Sequence, residues 1–165
     1  VLGVKAVNAK ANVMVAHTGS FSDFVKASEV AHSQIKSNAD ILTGSAQQAL
    51  GALRAVADYR DKDIWWVGQD LAQIAIPEGY KVVSASSYNY AAVINTMVSK
   101  LEAGILGGEN IPMNFNNNGF VFQYNPALKS KITPAIEAKV TEALNAFKAA
   151  RGNAAVVNWK EVKYN

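Results

Sequence analysis

Short apolar runs alternate with longer amphipathic stretches along most of this chain, and no other feature constrains its fold as much. The apolar runs occupy residues 12–17, 40–43, 64–67 and 80–84. The run at 64–67, with its two adjacent tryptophans, is apolar throughout, as expected of a strand covered by helices on both faces. Strand, helix and strand following one another in this way predict an α/β fold with a doubly wound parallel sheet.

The amphipathic stretches have the three- and four-residue spacing of helices with one buried face. In the clearest case Phe24, Ala27, Ala31 and Ile35 form an apolar stripe, and Ser22 is placed to cap the first turn. We expect helices over residues 22–36, 45–59, 88–103 and 133–151. Residues 1–8 have the pattern of a helix end, so we expect the chain to begin inside an element whose earlier part is missing.

The pattern changes after Pro112. Residues 113–115 and 120–124 are rich in apolar and aromatic side chains and flank Asn116-Asn117-Asn118-Gly119, which predicts a hairpin with Asn-Gly at its turn. A short terminal strand is expected around residues 154–157. The α/β lobe is therefore expected to carry a C-terminal hairpin and helix.

Composition excludes several classes of function. The chain has 165 residues and a formal charge of +3 from dispersed lysines, without a dense basic run, so nucleic acid is not predicted as a partner. It contains no cysteine, which excludes disulfides, thiolate catalysis and cysteine-ligated zinc.

Catalytic patterns are also scarce. The sequence has no nucleophile elbow, no phosphate-binding loop and no dinucleotide fingerprint, and neither His17 nor His32 has metal-ligand spacing. Asp23 and Asp70 are candidate acid and base, but nothing in the sequence brings them together. We therefore predict no catalytic residue, no cofactor and no metal site, and expect a protein that is not an enzyme.

The loops that follow the strands are the expected ligand-binding region, because ligands of parallel α/β sheets bind at the carboxyl ends of the strands. These loops carry hydroxyl, amide, carboxylate and aromatic side chains. The candidate ligand-binding residues are Phe21, Asp23, Ser45, Gln47, Asp70 and Ser87. Such groups suit a neutral polar ligand. The aromatic ring of Phe21 can stack on the ligand, and the polar side chains can form hydrogen bonds with it.

Each candidate also has a purely structural interpretation. Ser22 and Asp23 are ordinary residues for the start of a helix, and Phe21 has the position of a hydrophobic staple. Asp70 is equally well placed to cap a short helix at residues 71–74. The two tryptophans point to opposite faces of their strand and are expected in the core.

Several of these segments resemble one known family. Residues 3–8, Gly19-Ser20-Phe21-Ser22-Asp23, and residues 38–41, 66–70 and 125–128 are similar to the basic membrane lipoproteins, also called purine-nucleoside-binding lipoproteins. The resemblance covers nearly the whole chain. It implies a type I periplasmic-binding-like protein of two lobes that delivers nucleosides to an ABC transporter permease, outside the cytoplasm and anchored as a lipoprotein.

The resemblance also implies how the chain is divided. Residues 1–81 correspond to the second α/β lobe, residues 82–110 to a hinge strand and a helix that packs on a missing first lobe, and residues 111–165 to the C-terminal hairpin, helix and strand. The partners implied are a nucleoside-like ligand, the missing N-terminal lobe and the permease.

Parts of the family's binding pattern are present and parts are replaced. Phe21 and Asp23 match it, but Gly68 stands where the family commonly has an acid for ribose, and Asp70 stands at the second acid of that pattern. Ser87 stands where a lysine is common, and residues 46–49 replace a glycine-rich loop.

Two other functions remain open at this point. An effector-sensing domain of a transcriptional regulator uses the same fold. A nucleoside hydrolase would need a cluster of acids that these loops lack.

Overall fold

A computed structural model of the chain describes residues 1–149. Its helices and strands, in chain order, are α1 (Leu2–Val7), α2 (Phe24–Lys36), β1 (Ile41–Thr43), α3 (Ala49–Asp58), β2 (Trp65–Gly68), α4 (Ala72–Ala75), β3 (Val82–Tyr88), α5 (Tyr90–Glu102), β4 (Phe120–Tyr124) and α6 (Pro134–Ala149). Two 3-10 segments, Pro77–Lys81 and Pro126–Lys131, precede β3 and follow β4. The terminal strand expected at residues 154–157 lies outside the described residues.

The four strands form one sheet in the order β1-β2-β3-β4. β1 pairs with β2 in parallel, and β2 pairs with β3 in parallel. β4 runs the other way, because the Asn125 amide donates to the Val83 carbonyl while the Asn89 amide donates to the Gly119 carbonyl. The predicted α/β class and the parallel arrangement of successive strands are confirmed, and β4 makes the sheet mixed.

The chain divides into two compact units. The helix unit contains Val1–Met14, Tyr88–Val121 and the described residues from Pro134 onward, and the sheet unit contains Val15–Ser87 and Phe122–Thr133. Every buried apolar residue of the described chain belongs to the sheet unit. The center of that core is Trp66, Leu53, Val56, Ala55 and Val82, all with no exposed surface. The sheet unit therefore has a hydrophobic core of its own.

Helices α2 and α3 pack unusually closely at Gly51. A Cβ atom at this position would lie 2.1 Å from the Phe24 carbonyl oxygen. Gly51 is buried in the first turn of α3, where its missing side chain lets the two backbones approach. Ala27 and Ala31 continue the small, buried face of α2. The predicted stripe of α2 is confirmed for Ala27, Ala31 and Ile35, which are buried, but its first member, Phe24, is 40% exposed.

Asn125 connects the end of β4 to the beginning of β3. Its side-chain Nδ2 donates to the carbonyls of Gly79 at 2.9 Å and Val82 at 2.8 Å, and its Oδ1 accepts from the Ala127 amide at 3.0 Å. Only 4% of Asn125 is exposed, so these bonds satisfy a buried amide that would otherwise be costly. The Asn-Pro pair after β4 therefore both closes the sheet and begins the 3-10 turn.

The strand predicted at residues 12–17 is wrong. These residues are not in a strand, and their backbone groups make no hydrogen bond to another described residue. An apolar run forms a strand only where the backbone of a neighbouring strand pairs with it through hydrogen bonds. The segment also contains the point, between Met14 and Val15, at which the chain passes from one unit to the other.

Two helix starts also differ from the prediction. α2 is capped by Asp23 rather than Ser22, and α3 begins at Ala49 rather than at Ser45. The residues between Ser45 and Ala49 form a turn that precedes the helix. In the same way, Tyr80 and Lys81 belong to a 3-10 segment, and β3 starts at Val82.

The C-terminal hairpin is only partly formed. The chain turns at residues 115–118 as predicted, but residues 113–115 are not a strand. The Asn114 and Asn117 side chains accept hydrogen bonds from backbone amides within the turn. These local bonds take the place of strand-to-strand hydrogen bonds. β4 pairs with β3 instead.

We predict that Gly51→Ala lowers the free energy of unfolding by about 1 to 3 kcal/mol, because the added methyl group must push α3 away from the α2 backbone. Thermal or urea unfolding of the purified protein measures this change. Gly3→Ala is the matched control, since it also lies in a helix but a Cβ there meets nothing within 4 Å. The control should change stability by less than about 1 kcal/mol. Equal stability of both variants would contradict the close contact at Gly51.

Candidate functional site

The carboxyl ends of β1, β2 and β3 lie at one edge of the sheet. Thr43 pairs with Val67, and Gly68 pairs with Ala85, so the three parallel strands end in neighbouring positions. The Thr43 hydroxyl donates to the Val67 carbonyl at 2.8 Å and ties β1 to β2 at this edge. The loops that follow β1 and β2 therefore leave the sheet side by side, as the parallel arrangement predicts.

Phe21 precedes α2 and lies next to the loop after β1. The Gln48 amide donates to the Phe21 carbonyl at 3.1 Å, which joins the two segments through their backbones. The Phe21 ring is 79% exposed. A hydrophobic staple would bury the ring against its own helix, so this exposure argues against the structural interpretation of Phe21. An exposed aromatic ring held by its backbone is suited to stacking on a planar ligand.

Asp23 is the N-cap of α2. Its Oδ1 accepts from the Lys26 amide at 2.9 Å, and its own amide donates to the Ser20 Oγ at 3.1 Å. The loop before it is also held by the Thr18 hydroxyl, which donates to the Ser20 carbonyl at 3.0 Å. Asp23 is half-buried. Because its carboxylate caps α2, this side chain has a structural role.

Ser45 and Gln47 are both exposed in the loop after β1. Between them, Ala46 has a φ of 61°, a left-handed conformation that is unusual for a residue with a side chain. Gln48 follows, with a buried Oε1 that accepts no hydrogen bond from a described residue. A loop with strained backbone and an unsatisfied amide stores free energy, which is a common property of ligand-binding loops.

Asp70 lies in the loop after β2 as expected, whereas Ser87 does not lie in a loop. Asp70 is exposed after β2, and its Oδ1 accepts from the Ala72 amide at 2.9 Å, so it supports the start of α4 as a capping side chain would. Ser87 is not in a loop: it is the half-buried penultimate residue of β3, which continues to Tyr88. The two residues share the carboxyl edge, but one lies beyond its strand and the other within it.

A polar contact at the same edge is not evident from the sequence. The indole Nε1 of Trp66 donates to the Gln73 Oε1 at 2.9 Å. The same oxygen occupies the space above Gly68, where a Cβ atom would lie 2.7 Å from it and 3.0 Å from the Ala85 Cβ. A side chain at position 68, including the acid common in the resembling family, would therefore require the Gln73 amide to move. In the sequence, the only indication of this contact is a glutamine, Gln73, within the short apolar segment after β2.

The charged groups at the opposite edge of the sheet do not contribute to this region. Lys81, just before β3, is 1% exposed and donates from Nζ to the Lys62 carbonyl at 2.8 Å. Its burial lowers the pKa of the amine, and the carboxylates of Asp63 and Asp61 act in the other direction. Lys81 and Lys131 both lie over the Trp65 ring, at 5.0 and 4.1 Å from its centre. This cation cluster is structural.

No group of His, Cys, Asp and Glu within residues 1–149 is arranged to hold a metal ion. In the same part of the chain, no helix is long and apolar enough to cross a membrane. A shallow depression beside α2 is lined by Glu29, His32, Ser33, Lys36 and Tyr59, and it contains none of the residues predicted to bind a ligand.

Comparison with known proteins identifies one family. Residues 1–153 match the Bmp family, described as ABC transporter substrate-binding protein PnrA-like. No curated protein matches the chain.

Solved structures of the same fold were also found. One is an ABC transporter solute-binding protein from Conexibacter woesei, with a TM-score of 0.72, 19% identity and 90% of this chain covered. A second is a transcriptional activator of the comK gene from Bacillus halodurans, with a TM-score of 0.73, 15% identity and 88% coverage. A third is an ABC transporter solute-binding protein from Aeropyrum pernix, with a TM-score of 0.60, 16% identity and 87% coverage.

These likenesses concern the fold. The matched region is 48%, 49% and 38% of the three solved chains, so this chain spans about half their length or less. The α/β fold predicted from the alternating strands and helices is confirmed by this similarity, and the predicted family is confirmed by the family match.

We predict that Asp23→Ala lowers the free energy of unfolding by about 1 kcal/mol, because the first turn of α2 loses its side-chain acceptor. Asp23→Asn should retain the cap and change stability by less than about 0.5 kcal/mol. Ser22→Ala is the control, since the structure assigns the cap to the neighbouring residue. Urea unfolding distinguishes the three variants, and a larger loss for Ser22→Ala than for Asp23→Ala would restore Ser22 as the cap.

Proposed function

This chain belongs to the Bmp family of PnrA-like ABC transporter substrate-binding proteins, and we propose that it is the ligand-binding α/β lobe of an extracytoplasmic solute-binding protein that delivers a nucleoside to an ABC importer. One observation carries the proposal within this family. The 79% exposed ring of Phe21 is held by its backbone against the amide-bearing loop after β1, at the carboxyl edge of the sheet. An exposed ring beside polar groups suits a ligand with both a planar base and hydroxyl groups.

The ligand-binding groups of this proposal are those of the loops. Phe21 stacks on the base, while polar side chains at the carboxyl edge take hydrogen bonds from the base and the sugar. The polar residues proposed for this role are Asp23, Ser45, Gln47, Asp70 and Ser87. Asp23 and Asp70 each use one carboxylate oxygen to hold a backbone amide, which leaves the second oxygen of each for a ligand hydroxyl.

Binding in this proposal involves no chemical step. Two lobes close around the ligand, and the closed state is selected because the ligand contacts both of them. The second lobe and the permease are the protein partners, and a lipid anchor near the beginning of the full polypeptide holds the protein at the membrane. Since this chain spans about half of the solved structures, the other lobe belongs to polypeptide outside it.

The helix unit provides a surface for that other lobe. Large apolar side chains of α5 are exposed along one side of the helix at three- and four-residue spacing: Tyr90, Ile94, Met97, Val98 and Leu101, all 47–64% exposed. In α1, a separate helix of the same unit, Val4 and Val7 are 48% and 71% exposed. Contiguous exposed apolar residues of this kind mark a protein interface. We assign this surface to the missing lobe, which extends the hinge role expected for residues 82–110.

A second candidate function is favoured by one comparison. The comK activator from Bacillus halodurans has the same fold with a TM-score of 0.73, so an effector-sensing domain of a regulator is the alternative. The two proposals differ in the polypeptide that precedes this chain. A DNA-binding segment there would support a regulator, and a signal peptide ending in a lipid-accepting cysteine would support the transport protein.

We predict that Phe21→Ala in the full-length protein weakens binding of inosine by about 1 to 3 kcal/mol, because the stacking surface is removed. Isothermal titration calorimetry with inosine measures the affinity, and thermal unfolding checks that the variant is folded. Val25→Ala is the control, since Val25 is 70% exposed nearby in α2 and has no proposed ligand contact. Unchanged affinity in Phe21→Ala would remove Phe21 from the site. A wild-type protein that binds no nucleoside would refute the proposed ligand class.

We predict that Ile94→Glu in the full-length protein lowers the free energy of unfolding by about 2 kcal/mol or more, because the proposed interface would bury the new charge. Ile94 is 55% exposed in this chain, so the same substitution in residues 1–165 alone should cost much less. Ser99→Glu is the control, placed on the opposite side of α5 and exposed. Unfolding experiments on both lengths test the surface, and equal effects in the two lengths would contradict it.

A further inference from the structure

The indole of Trp66 requires a hydrogen-bond acceptor inside the core. Trp66 has no exposed surface, and its Nε1–H would be an unsatisfied buried donor without Gln73. The Gln73 Oε1 lies 2.9 Å from this nitrogen. An indole nitrogen is a donor only, so chemistry alone requires the glutamine to present its oxygen to Trp66 and not its nitrogen.

This contact determines where the amide nitrogen of Gln73 goes. With Oε1 directed at Trp66, the Nε2 donors face away from the indole. No hydrogen bond from Nε2 to residues 1–149 is present, and Nε2 is not among the buried unsatisfied atoms of that part of the chain. Gln73 is half-buried, so its amide has one end in the core and the other in contact with solvent. The donor end is therefore free to bind a ligand.

Gly68 keeps this amide at the carboxyl edge of the sheet. It is the last residue of β2, and the Gln73 Oε1 lies 2.7 Å from the position that its Cβ would occupy. A larger residue at 68 would displace the glutamine and break its bond to Trp66. Gly68 and Trp66 together hold the amide where the loop after β2 leaves the sheet.

We infer that Gln73 is a ligand-binding residue, that its Nε2 donates to an acceptor atom of the solute, and that Trp66 and Gly68 are its positioning residues. The inference rests on the proposed solute-binding function. It adds a neutral donor to a region whose charged groups, Asp23 and Asp70, are acceptors. The Gln73 backbone N–H also donates to the Asp70 backbone carbonyl, so the two residues lie within one short turn of each other.

A donor beside an acceptor matches the chemistry of a nucleoside in two places. The base can offer a carbonyl oxygen, and the ribose can offer a hydroxyl oxygen. Both are acceptors for Nε2, and both have a neighbouring N–H or O–H for the Asp70 carboxylate. The shared requirement is an oxygen acceptor on the solute, and the ligand analogues below distinguish the two sources.

The test uses Gln73→Glu and Gln73→Met in the full-length protein. Glu keeps the oxygen acceptor for Trp66 but has no N–H donor, and Met has a similar length without either group or a charge. Both variants should raise the Kd for inosine about five- to thirty-fold, as expected for a lost ligand hydrogen bond in a partly buried site. Gln123→Glu, an exposed glutamine of β4, is the control for the change in charge. It should leave the Kd unchanged.

Two analogues locate the acceptor. Purine riboside lacks the oxygen at position 6 of the base, and 2′-deoxyinosine lacks the 2′-hydroxyl. The variant-to-wild-type ratio of Kd should fall to about one with the analogue that lacks the partner of Nε2. An unchanged Kd for inosine in both folded Gln73 variants would overturn the inference while leaving the nucleoside proposal intact.

The orientation of the amide has a readout that needs no ligand. In nuclear magnetic resonance spectra of the ligand-free protein, the Gln73 side-chain NH₂ should exchange rapidly with water, and the Trp66 indole proton should be protected. A protected Gln73 NH₂ would show that its donors are buried, which overturns the inference even if no nucleoside binds. Failure of inosine to bind together with rapid exchange would refute the nucleoside ligand and support the donor geometry.

Discussion

A single buried tryptophan determines much of the carboxyl edge of this sheet. Trp66 has no exposed surface, and its large ring leaves little space at the end of β1, where a Cβ on Gly44 would lie 3.3 Å from Cη2. Its one polar atom must be satisfied, which draws Gln73 of α4 towards the core. Gln73 then takes the space above Gly68. Two glycines and one glutamine are thus consequences of one side chain in the center of the sheet.

The position of the loop that carries Phe21 also depends on close packing, in this case between α2 and α3. The α2 backbone approaches α3 at Gly51, and the two segments before these helices are joined by the bond from Gln48 to Phe21. Phe21 is 79% exposed, but its backbone carbonyl accepts from the Gln48 amide beside the closely packed start of α3. A ligand that stacks on such a ring need not order the loop first, which reduces the entropic cost of binding.

The sequence predicts the regular elements well and the side-chain contacts poorly. β1 and β2 lie within one residue of the predicted runs at each end, because continuous apolarity between polar turns is a local property. The strand predicted at residues 12–17 fails for the opposite reason, since a strand also needs a partner that periodicity cannot identify. The sequence identifies Asp70 as a candidate cap, but it assigns the cap of α2 to Ser22 instead of Asp23 and does not single out Gln73 at all. Its position depends on a hydrogen bond to a residue of another element, and a glutamine in a short segment carries no pattern that indicates it.

The two units differ in what they need to be stable. The sheet unit buries the apolar residues of its helices and strands, but α1, α5 and the described part of α6 have no buried residue. Short helices gain most of their stability in proteins from packing an apolar face, so α5 with its exposed stripe is incomplete alone. In the proposed two-lobe protein, burial of that stripe would stabilise the helix unit, so formation of α5 and docking of the second lobe would be coupled.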